Sequence, residues 1–411
     1  MDDRIRIPLS KDTIHNAWKK TKQFFSTPQG KTLLTTILIL IPVLLSFGIR
    51  AQPAELAVFD NIGEQNVDEQ LINQFSQQVQ QQNPALPSNS IRAQAEDQLN
   101  QYKQQNPEQY QDQVDQLTTV FKDEYRKPNG EPYLVAIDPY NYLREVNNYR
   151  ENGHLGNEIV DGVSRETYQL APIGKNAGTN LHPYLSSWTY TLFGGITGVS
   201  LYMTFFYMPA ILASLAPIPA YFLAKNFAGR GAGFLTAIIV ASHSAFVSRS
   251  VAGFSDTDPY NVALPLFVLW FTHEVFIAKT MKKKIMWGTL ATLAMGTLST
   301  VWGGWYATYA ILLAALFGNI IHTLLKNSIK IYKESRGWTW DNIKEEGTKT
   351  NLITTLSLLG SSTIFIALLN GVNSVNIFSR ITRALALDEA IGGNLWPNVL
   401  TTVAELGSQS F

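Results

Sequence analysis

The chain has 411 residues and carries 32 basic and 32 acidic side chains, which gives a formal net charge of zero. This balance excludes the strongly basic surface that is typical of nucleic-acid binding, so we expect no nucleic-acid partner. The absence of cysteine excludes disulfides, cysteine-ligated zinc or iron–sulfur centres, and a thiol nucleophile. The hydrophobic content of 45% averages a polar, glutamine-rich stretch at 51–132 and an apolar, aromatic stretch at 184–370.

The N-terminal region joins a polar, basic segment at 1–31 to the apolar run Leu33–Phe47. This order predicts a first membrane helix over 32–48, with residues 1–31 in the cytoplasm. A cleaved signal peptide is the alternative, but no small-residue cleavage site of convincing form follows the apolar run.

A long polar region follows at 49–183, which we interpret as the first external loop. The spacing of apolar residues in Leu71–Gln82, Ile91–Gln105 and Glu108–Lys127 predicts amphipathic helices separated by prolines. Glutamine richness and the proline breaks favour short helical hairpins or partial disorder over a sheet. We assign no chemistry to this insertion.

The apolar, aromatic sequence of 184–370 predicts an all-α polytopic membrane domain. Its connecting lysines and arginines are placed in the cytoplasm by the positive-inside tendency, which gives about seven spans for the whole chain. The external loop, the Asp256–Asp258 turn and the tail 371–411 then lie outside. Within the region, the candidate spans are about 187–224, 232–248, 260–278, 285–301, 304–325 and 351–370.

Two acidic residues, Asp256 and Asp258, lie between two apolar segments in the stretch Ser255–Pro259. Carboxylates at the mouth of a membrane helix are costly unless a positive group offsets them. Residues i and i+2 of an extended segment point the same way, so the two carboxylates can share one divalent cation. Asp258 precedes Pro259, so helix capping alone is an alternative for this residue. Arg249 lies about two helical turns before Asp256 and can reach the same face; its alternative role is an interface anchor.

Three further candidates each have a structural alternative. Asp138 precedes Pro139, a pairing that is also typical of a helix N-terminus. Glu405 follows Thr402 by three residues, which is the capping-box spacing. His182 precedes Pro183 and has the alternative of a buried structural histidine.

Considered together, four carboxylates lie on one side of the membrane: Asp138, Asp256, Asp258 and Glu405. Converging carboxylates need a cation to offset their repulsion. Oxygen ligands without cysteine favour Mg²⁺ or Mn²⁺ over zinc, so the sequence predicts one of these two ions as cofactor.

At this point the chain resembles the catalytic subunit of oligosaccharyltransferase, most closely the single-subunit archaeal kind. The resemblance covers about 130–411, and its four elements match the order of the family's motifs. These elements are Asp138-Pro139-Tyr140 with the later Arg144, Arg249 with Gly253–Asp258, Trp302–Tyr306, and Thr402–Glu405, which is similar to a Thr-Ile-x-Glu motif of the long external loop.

The resemblance implies a GT-C-type transmembrane domain with a long helical first external loop, at the outer face of the cell membrane. It implies protein N-glycosylation: transfer of an oligosaccharide from a lipid (dolichyl) phosphate or pyrophosphate to the asparagine amide of Asn-x-Ser/Thr in exported polypeptides. The reaction is expected to be metal-dependent and inverting. By resemblance Asp138, Asp256 and Asp258 hold the metal, Glu405 and Asp138 bind the acceptor amide, and Arg249 organises the carboxylates; His182 and Thr402 are additional candidates.

The chain also departs from the family pattern. It ends at Phe411, whereas family members continue through 371–411 into more spans and a soluble C-terminal domain. We therefore interpret it as an N-terminal portion that is expected to be inactive alone.

The alternative functions are those of another GT-C glycosyltransferase, such as an O-mannosyl transferase, and of a transporter or non-catalytic membrane protein. Transporters usually place polar residues near mid-membrane, whereas these acids cluster at the outer mouth.

Overall fold

The computed structural model describes Lys19 and residues 22–169, 174–333 and 346–375. The predicted site residues Thr402 and Glu405 lie outside the described residues. The chain divides into two compact units, Met1–Leu266 and Phe267–Phe411, which are described separately.

Helix α1, Pro28–Ala51, forms from the apolar run near the N-terminus. Thr27 caps it by accepting a hydrogen bond from the Gly30 amide, and proline at the first position favours a helix start. A short 3₁₀ turn, Gln52–Glu55, leads into the polar region.

The glutamine-rich insertion forms three helices that share a hydrophobic core. Phe59 near its start and Tyr125 just after its end have ring centroids 4.6 Å apart, so the insertion leaves and rejoins the chain at one place. Partial disorder was one sequence expectation for this stretch, and the structure shows ordered helices instead because apolar residues at helical spacing meet in one core. The helices are α2, Val58–Gln82, α3, Ser88–Gln105, and α4, Pro107–Glu124. We call α2–α4 the helical module.

The rest of the external loop contains helix α5, Asp138–Asn152, and a small antiparallel sheet that the sequence analysis did not predict. Arg144 of α5 forms an ion pair of 3.1 Å with the buried Glu166 of the sheet, which ties the two together. The strands are β1, Glu158–Val160, β2, Val163–Glu166, and β3, Lys175–Asn176. Helix α6, Leu181–Thr189, continues into a π-helical turn, Tyr190–Gly194, and a short helical turn, Gly195–Thr197.

The remaining helices of the first unit are α7, Leu201–Ala213, α8, Pro217–Ser242, and the short α9, Ser244–Ser248. Helix α8 is broken at Ala228 and Gly229, where Gly229 adopts a positive φ of 84°. A Cβ at Gly233 would lie 2.7 Å from the carbonyl oxygen of Tyr221, so the two halves of α8 pack closely against each other beyond the break.

Helix α10, Asp258–Ile277, crosses the boundary between the units. In the second unit, α11 and α12 both pack against α13. Gly296 permits close packing of α11 on α13, since an added Cβ would overlap the Phe365 ring. These helices are α11, Met281–Val301, α12, Trp305–Lys333, and α13, Glu346–Asn370, followed by a 3₁₀ turn, Val372–Val375.

Within the described residues, five helical segments are long and apolar enough to cross a membrane. The sequence analysis expected about seven spans for the chain. The counts differ because α7 and α8 form one segment here and because α11 is not among the five. The segments are Pro28–Glu55, Leu201–Ser242, Asp258–Ile277, Trp305–Lys330 and Lys349–Asn370. The predicted all-α fold class is confirmed, with the small sheet as an addition.

Candidate functional site

The turn between α9 and α10 carries Asp256 and leads into Asp258, the first residue of α10. Gly253 fixes the path of this turn. Gly253 donates its amide to the Phe206 carbonyl at 2.7 Å and accepts a hydrogen bond from the Val135 amide at 3.0 Å. Its φ is +89°, and a Cβ there would lie 2.7 Å from the Phe206 ring and 2.9 Å from Val135. Only glycine meets both requirements without strain.

The hydrogen bond between Val135 and Gly253 brings two aspartates together. Asp138 and Asp256 each lie three residues after one of its partners. Burial raises the pKa of the Asp256 carboxyl, and the neighbouring Asp138 charge raises it further. The structure thus places two of the predicted carboxylates, from distant parts of the sequence, within electrostatic reach of each other.

The helix-capping alternative for Asp138 finds no support in the geometry. Asp138 is the first residue of α5, the cap position is Ile137, and no side-chain capping hydrogen bond forms there. The Asp138 side chain is exposed.

Asp258 is held by contacts of its own. It forms an ion pair of 3.8 Å with Nε of Arg249 and accepts a hydrogen bond from Asn261 Nδ2 at 3.3 Å. The Arg249 charge also lowers the pKa of Asp256, although burial dominates. Arg249 therefore acts on both carboxylates of the turn. Because Asp258 begins α10, the acidic pair does not lie in one extended segment.

Tyr142 belongs to this cluster, and the sequence analysis missed it. Burial raises the pKa of its hydroxyl, with further contributions from Asp256, Glu145 and Asp138. Tyr142 lies one helical turn after Asp138 on α5, so the two side chains share a face. That spacing was the available signal.

His182 lies in the core next to Tyr142 and has no exposed surface. Its Nδ1 is 3.1 Å from the Tyr260 hydroxyl, and its ring meets the Tyr142 ring edge to face at 5.2 Å. Burial lowers its pKa to about 4. Its Nε2 is buried and has no hydrogen-bond partner in the described part of the chain. His182 therefore packs against both Tyr142 and Tyr260 in the core.

Arg50 is a second residue that sequence reasoning missed. It is fully buried at the end of α1, where it donates to Ser250 Oγ at 2.8 Å and to the Ala241 carbonyl at 2.7 Å. Its own carbonyl accepts a hydrogen bond from the Ala252 amide at 2.8 Å. Arg50 therefore anchors the acidic turn to the first helix.

A cavity of about 430 Å³ borders the turn between α8, α9 and α10. Arg249, Asp258 and Asn261 supply polar groups to its wall, and Phe246 and Val262 supply apolar surface. The cavity wall therefore combines the negative charge of Asp258 and the positive charge of Arg249 with apolar surface.

The capacity of this cluster to hold a metal ion depends on its oxygen donors. Among the described residues, no group of three or more His, Asp or Glu side chains is placed to hold a metal ion. Asp138 and Asp256 do form a repelling pair of oxygen donors. Mg²⁺ keeps several waters and commonly uses one or two protein carboxylates, so this pair fits a hard divalent cation.

Fold and site together define a multi-pass helical membrane protein with paired carboxylates close to the start of one of its membrane-spanning helices, α10. The chain belongs to the oligosaccharyl transferase STT3 family, since the model of the N-terminal part of that family matches residues 113–411. The match begins within α4, so most of the helical module precedes it.

Two curated relatives are both named dolichyl-phosphooligosaccharide-protein glycotransferase. That of Methanococcus voltae is 34% identical over 315 residues, which is 72% of this chain and 33% of the relative. That of Methanocaldococcus jannaschii is 32% identical over 163 residues, covering 38% and 17%. The chain thus spans a third or less of the length of these relatives.

Among solved structures, the chain is similar to the archaeal oligosaccharyltransferase AglB from Archaeoglobus fulgidus in complex with an inhibitory peptide and a dolichol-phosphate. The identity is 18% and the TM-score is 0.41, with 64% of this chain and 31% of that chain covered.

Proposed function

We propose that this chain carries the metal-binding and amide-binding part of an oligosaccharyltransferase. The reaction is transfer of an oligosaccharide from a lipid (dolichyl) phosphate or pyrophosphate to the side-chain amide of Asn in Asn-x-Ser/Thr. Family membership supports the class of reaction. The observation that carries the proposal is the Val135–Gly253 hydrogen bond, which brings the Asp138 carboxylate close enough to Asp256 for their charges to interact. Membership of this family also favours this function over O-mannosyl transfer and over transport.

Asp138 and Asp256 would hold the divalent ion, Mg²⁺ or Mn²⁺, with Asp258 as the third predicted ligand. When bound, such an ion supplies Lewis-acid stabilisation of charge on a departing phosphate. Arg249 holds Asp258 by its ion pair and lies close enough to Asp256 to lower its pKa. Its role is therefore to position and partly neutralise the carboxylates.

The acceptor amide would be bound by Asp138 and Glu405. An amide nitrogen is a poor nucleophile because its lone pair is delocalised into the carbonyl group. Carboxylates that accept its N–H bonds polarise the amide and weaken that conjugation. The exposed Asp138 can accept such a bond. No protein nucleophile is implied, so a single displacement would invert the anomeric carbon.

The site would lie at the extracytoplasmic face of the cell membrane. The lysine cluster Lys282–Lys284 begins α11, and further basic residues lie at 326–349. Placing these in the cytoplasm puts the start of α10, with Asp256 and Asp258, on the opposite face. The lipid-linked donor and the exported acceptor meet on that face.

A transfer assay with a lipid-linked oligosaccharide and an Asn-x-Thr peptide tests the proposal in membranes that contain the full-length enzyme. Asp256→Ala is expected to abolish transfer. Asp60→Ala is the matched control, because Asp60 pairs with Lys122 at 2.7 Å in the helical module. Full transfer by the Asp256 variant would refute the assignment, as would equal loss in both variants.

A further inference from the structure

A second cavity, of about 510 Å³, lies in the second unit between α11 and α13. Its wall includes Gly288 and Thr292 of α11 and Ser357 and Leu358 of α13. This volume is within the range of about 300–1,000 Å³ that is typical of small-molecule pockets. The proposed glycosyl transfer does not use this cavity.

The cavity reaches the surface of the helices. Three of its apolar lining residues, Ile285, Leu293 and Ile353, are exposed. Ile353 lies in Lys349–Asn370, one of the five segments that are long and apolar enough to cross a membrane, where exposed apolar side chains face lipid hydrocarbon. Ile285 and Leu293 lie in the span that the sequence predicts at 285–301. A ligand can therefore enter from the bilayer without passing through water.

The polar end of the cavity is formed by Lys284, which is only 8% exposed. Lysines near the ends of membrane helices normally extend their ammonium group into the water interface. The Lys284 ammonium instead donates to Asn351 Oδ1 at 3.4 Å. No carboxylate of the described residues lies within ion-pair distance of it. A buried ammonium held by one long, neutral hydrogen bond has capacity for an anion.

The position of Lys284 along its helix gives a second reason for an anion. Lys282, Lys283 and Lys284 occupy the first turn of α11, which Thr280 caps. The helix dipole disfavours cations at this end and favours anions. A phosphate group there would be stabilised by the dipole and by the lysines together.

We propose that this cavity binds one anionic membrane phospholipid, with its phosphate at Lys284 and a chain along Gly288, Thr292 and Leu358. The apolar wall and the opening toward lipid favour a lipid over a soluble anion. A bilayer phospholipid is present at high concentration at that opening, and its charge complements the lysines. The site lies on the face of the membrane that carries the lysine cluster, where the lipid would bridge α11 and α13.

Native mass spectrometry of the delipidated protein, titrated with phosphatidylglycerol or phosphatidylcholine, tests this site. One tight phosphatidylglycerol adduct is expected, and Lys284→Gln should weaken it about tenfold. Lys283→Gln removes the same charge from an exposed position in the same turn, so its effect should be smaller. Equal losses in the two variants, or equal affinity for both lipids, would overturn the proposal. Tighter binding of a polyprenyl phosphate than of phosphatidylglycerol would overturn the choice of ligand.

Filling the cavity tests the site without changing its charge. Gly288 has only ordinary contacts around an added Cβ, the nearest at 3.9 Å, so Gly288→Leu extends into the cavity. Gly318→Leu on α12 is the control, because nothing lies within 4 Å of an added Cβ there. We expect loss of the adduct, by about tenfold or more, only in the Gly288 variant, with similar melting temperatures for both. An adduct retained by the Gly288 variant would contradict the proposed location.

Discussion

The helical module and the acidic turn lie in the same unit but are stabilised by different kinds of contact. The module has its own core, in which Leu71, Leu99 and Tyr110 pack together. The turn has no core of its own. Its conformation is fixed by hydrogen bonds to Arg50 on α1, to Phe206 on α7 and to Val135 before α5. The module is therefore a local structure, whereas the turn depends on several distant segments.

This difference predicts where substitutions matter for the proposed chemistry. A change in the module's core should affect the module alone. A change in any anchor of the turn should displace Asp256 relative to Asp138, although no anchor touches substrate.

Gly253→Val should have the largest effect. It combines an unfavourable positive φ with overlap against Phe206 and Val135, at a cost of about 4 kcal/mol. We expect a lower melting temperature and loss of Mn²⁺ binding measured by electron paramagnetic resonance. Gly130→Val, which has a φ of +83° and nothing within 4 Å of an added Cβ, controls for backbone strain. Comparable Mn²⁺ loss in both variants would show that the close contact at Gly253 is unimportant.

Arg50→Met should loosen the same turn from the side of α1. It leaves Ser250 and the Ala241 carbonyl without their buried donor, at a cost of about 3 kcal/mol. Mn²⁺ affinity should fall with stability, as measured by titration and thermal unfolding. Arg92→Met removes an exposed arginine that pairs with Glu69 and Glu96, and it should leave both stability and Mn²⁺ affinity close to those of the parent protein, because exposed ion pairs contribute little. Unchanged Mn²⁺ affinity in the Arg50 variant would refute its anchoring role.

His182 should make stability depend on pH. Burial lowers its pKa from 6.5 to about 4, so between these values the unfolded state binds a proton that the folded state does not. Stability should therefore fall as pH falls through this window, by about 3 kcal/mol. Thermal unfolding of His182→Gln should show a weaker dependence over the same range than the parent protein. Parallel pH profiles would exclude His182 as the source.

Leu71→Ala should have no effect on the site. The buried leucine contributes to the module's core, and its truncation should destabilise the module by about 2–5 kcal/mol. Limited proteolysis should then cut within 58–124, while Mn²⁺ affinity stays unchanged. A fall in Mn²⁺ affinity would show that the module and the turn are coupled.

The same contrast explains what could be predicted from the sequence. Helices such as α1 and the amphipathic helices of the module follow from local periodicity, so sequence reasoning found them. The pairing of Asp138 with Asp256 was expected only by combining membrane sidedness with motif resemblance. Arg50 and the sheet were missed because their roles depend on hydrogen bonds between distant segments. Tyr142 lies one helical turn after Asp138, and this spacing alone could have indicated that it shares the site.

The most direct test of the shared cation site is a double-mutant cycle in Mn²⁺ affinity using Asp138→Asn and Asp256→Asn. If both carboxylates hold one ion, each single variant should lose at least about tenfold in affinity, and the double variant should lose little more than either alone. Independent, additive losses, or wild-type affinity in either single variant, would contradict the account.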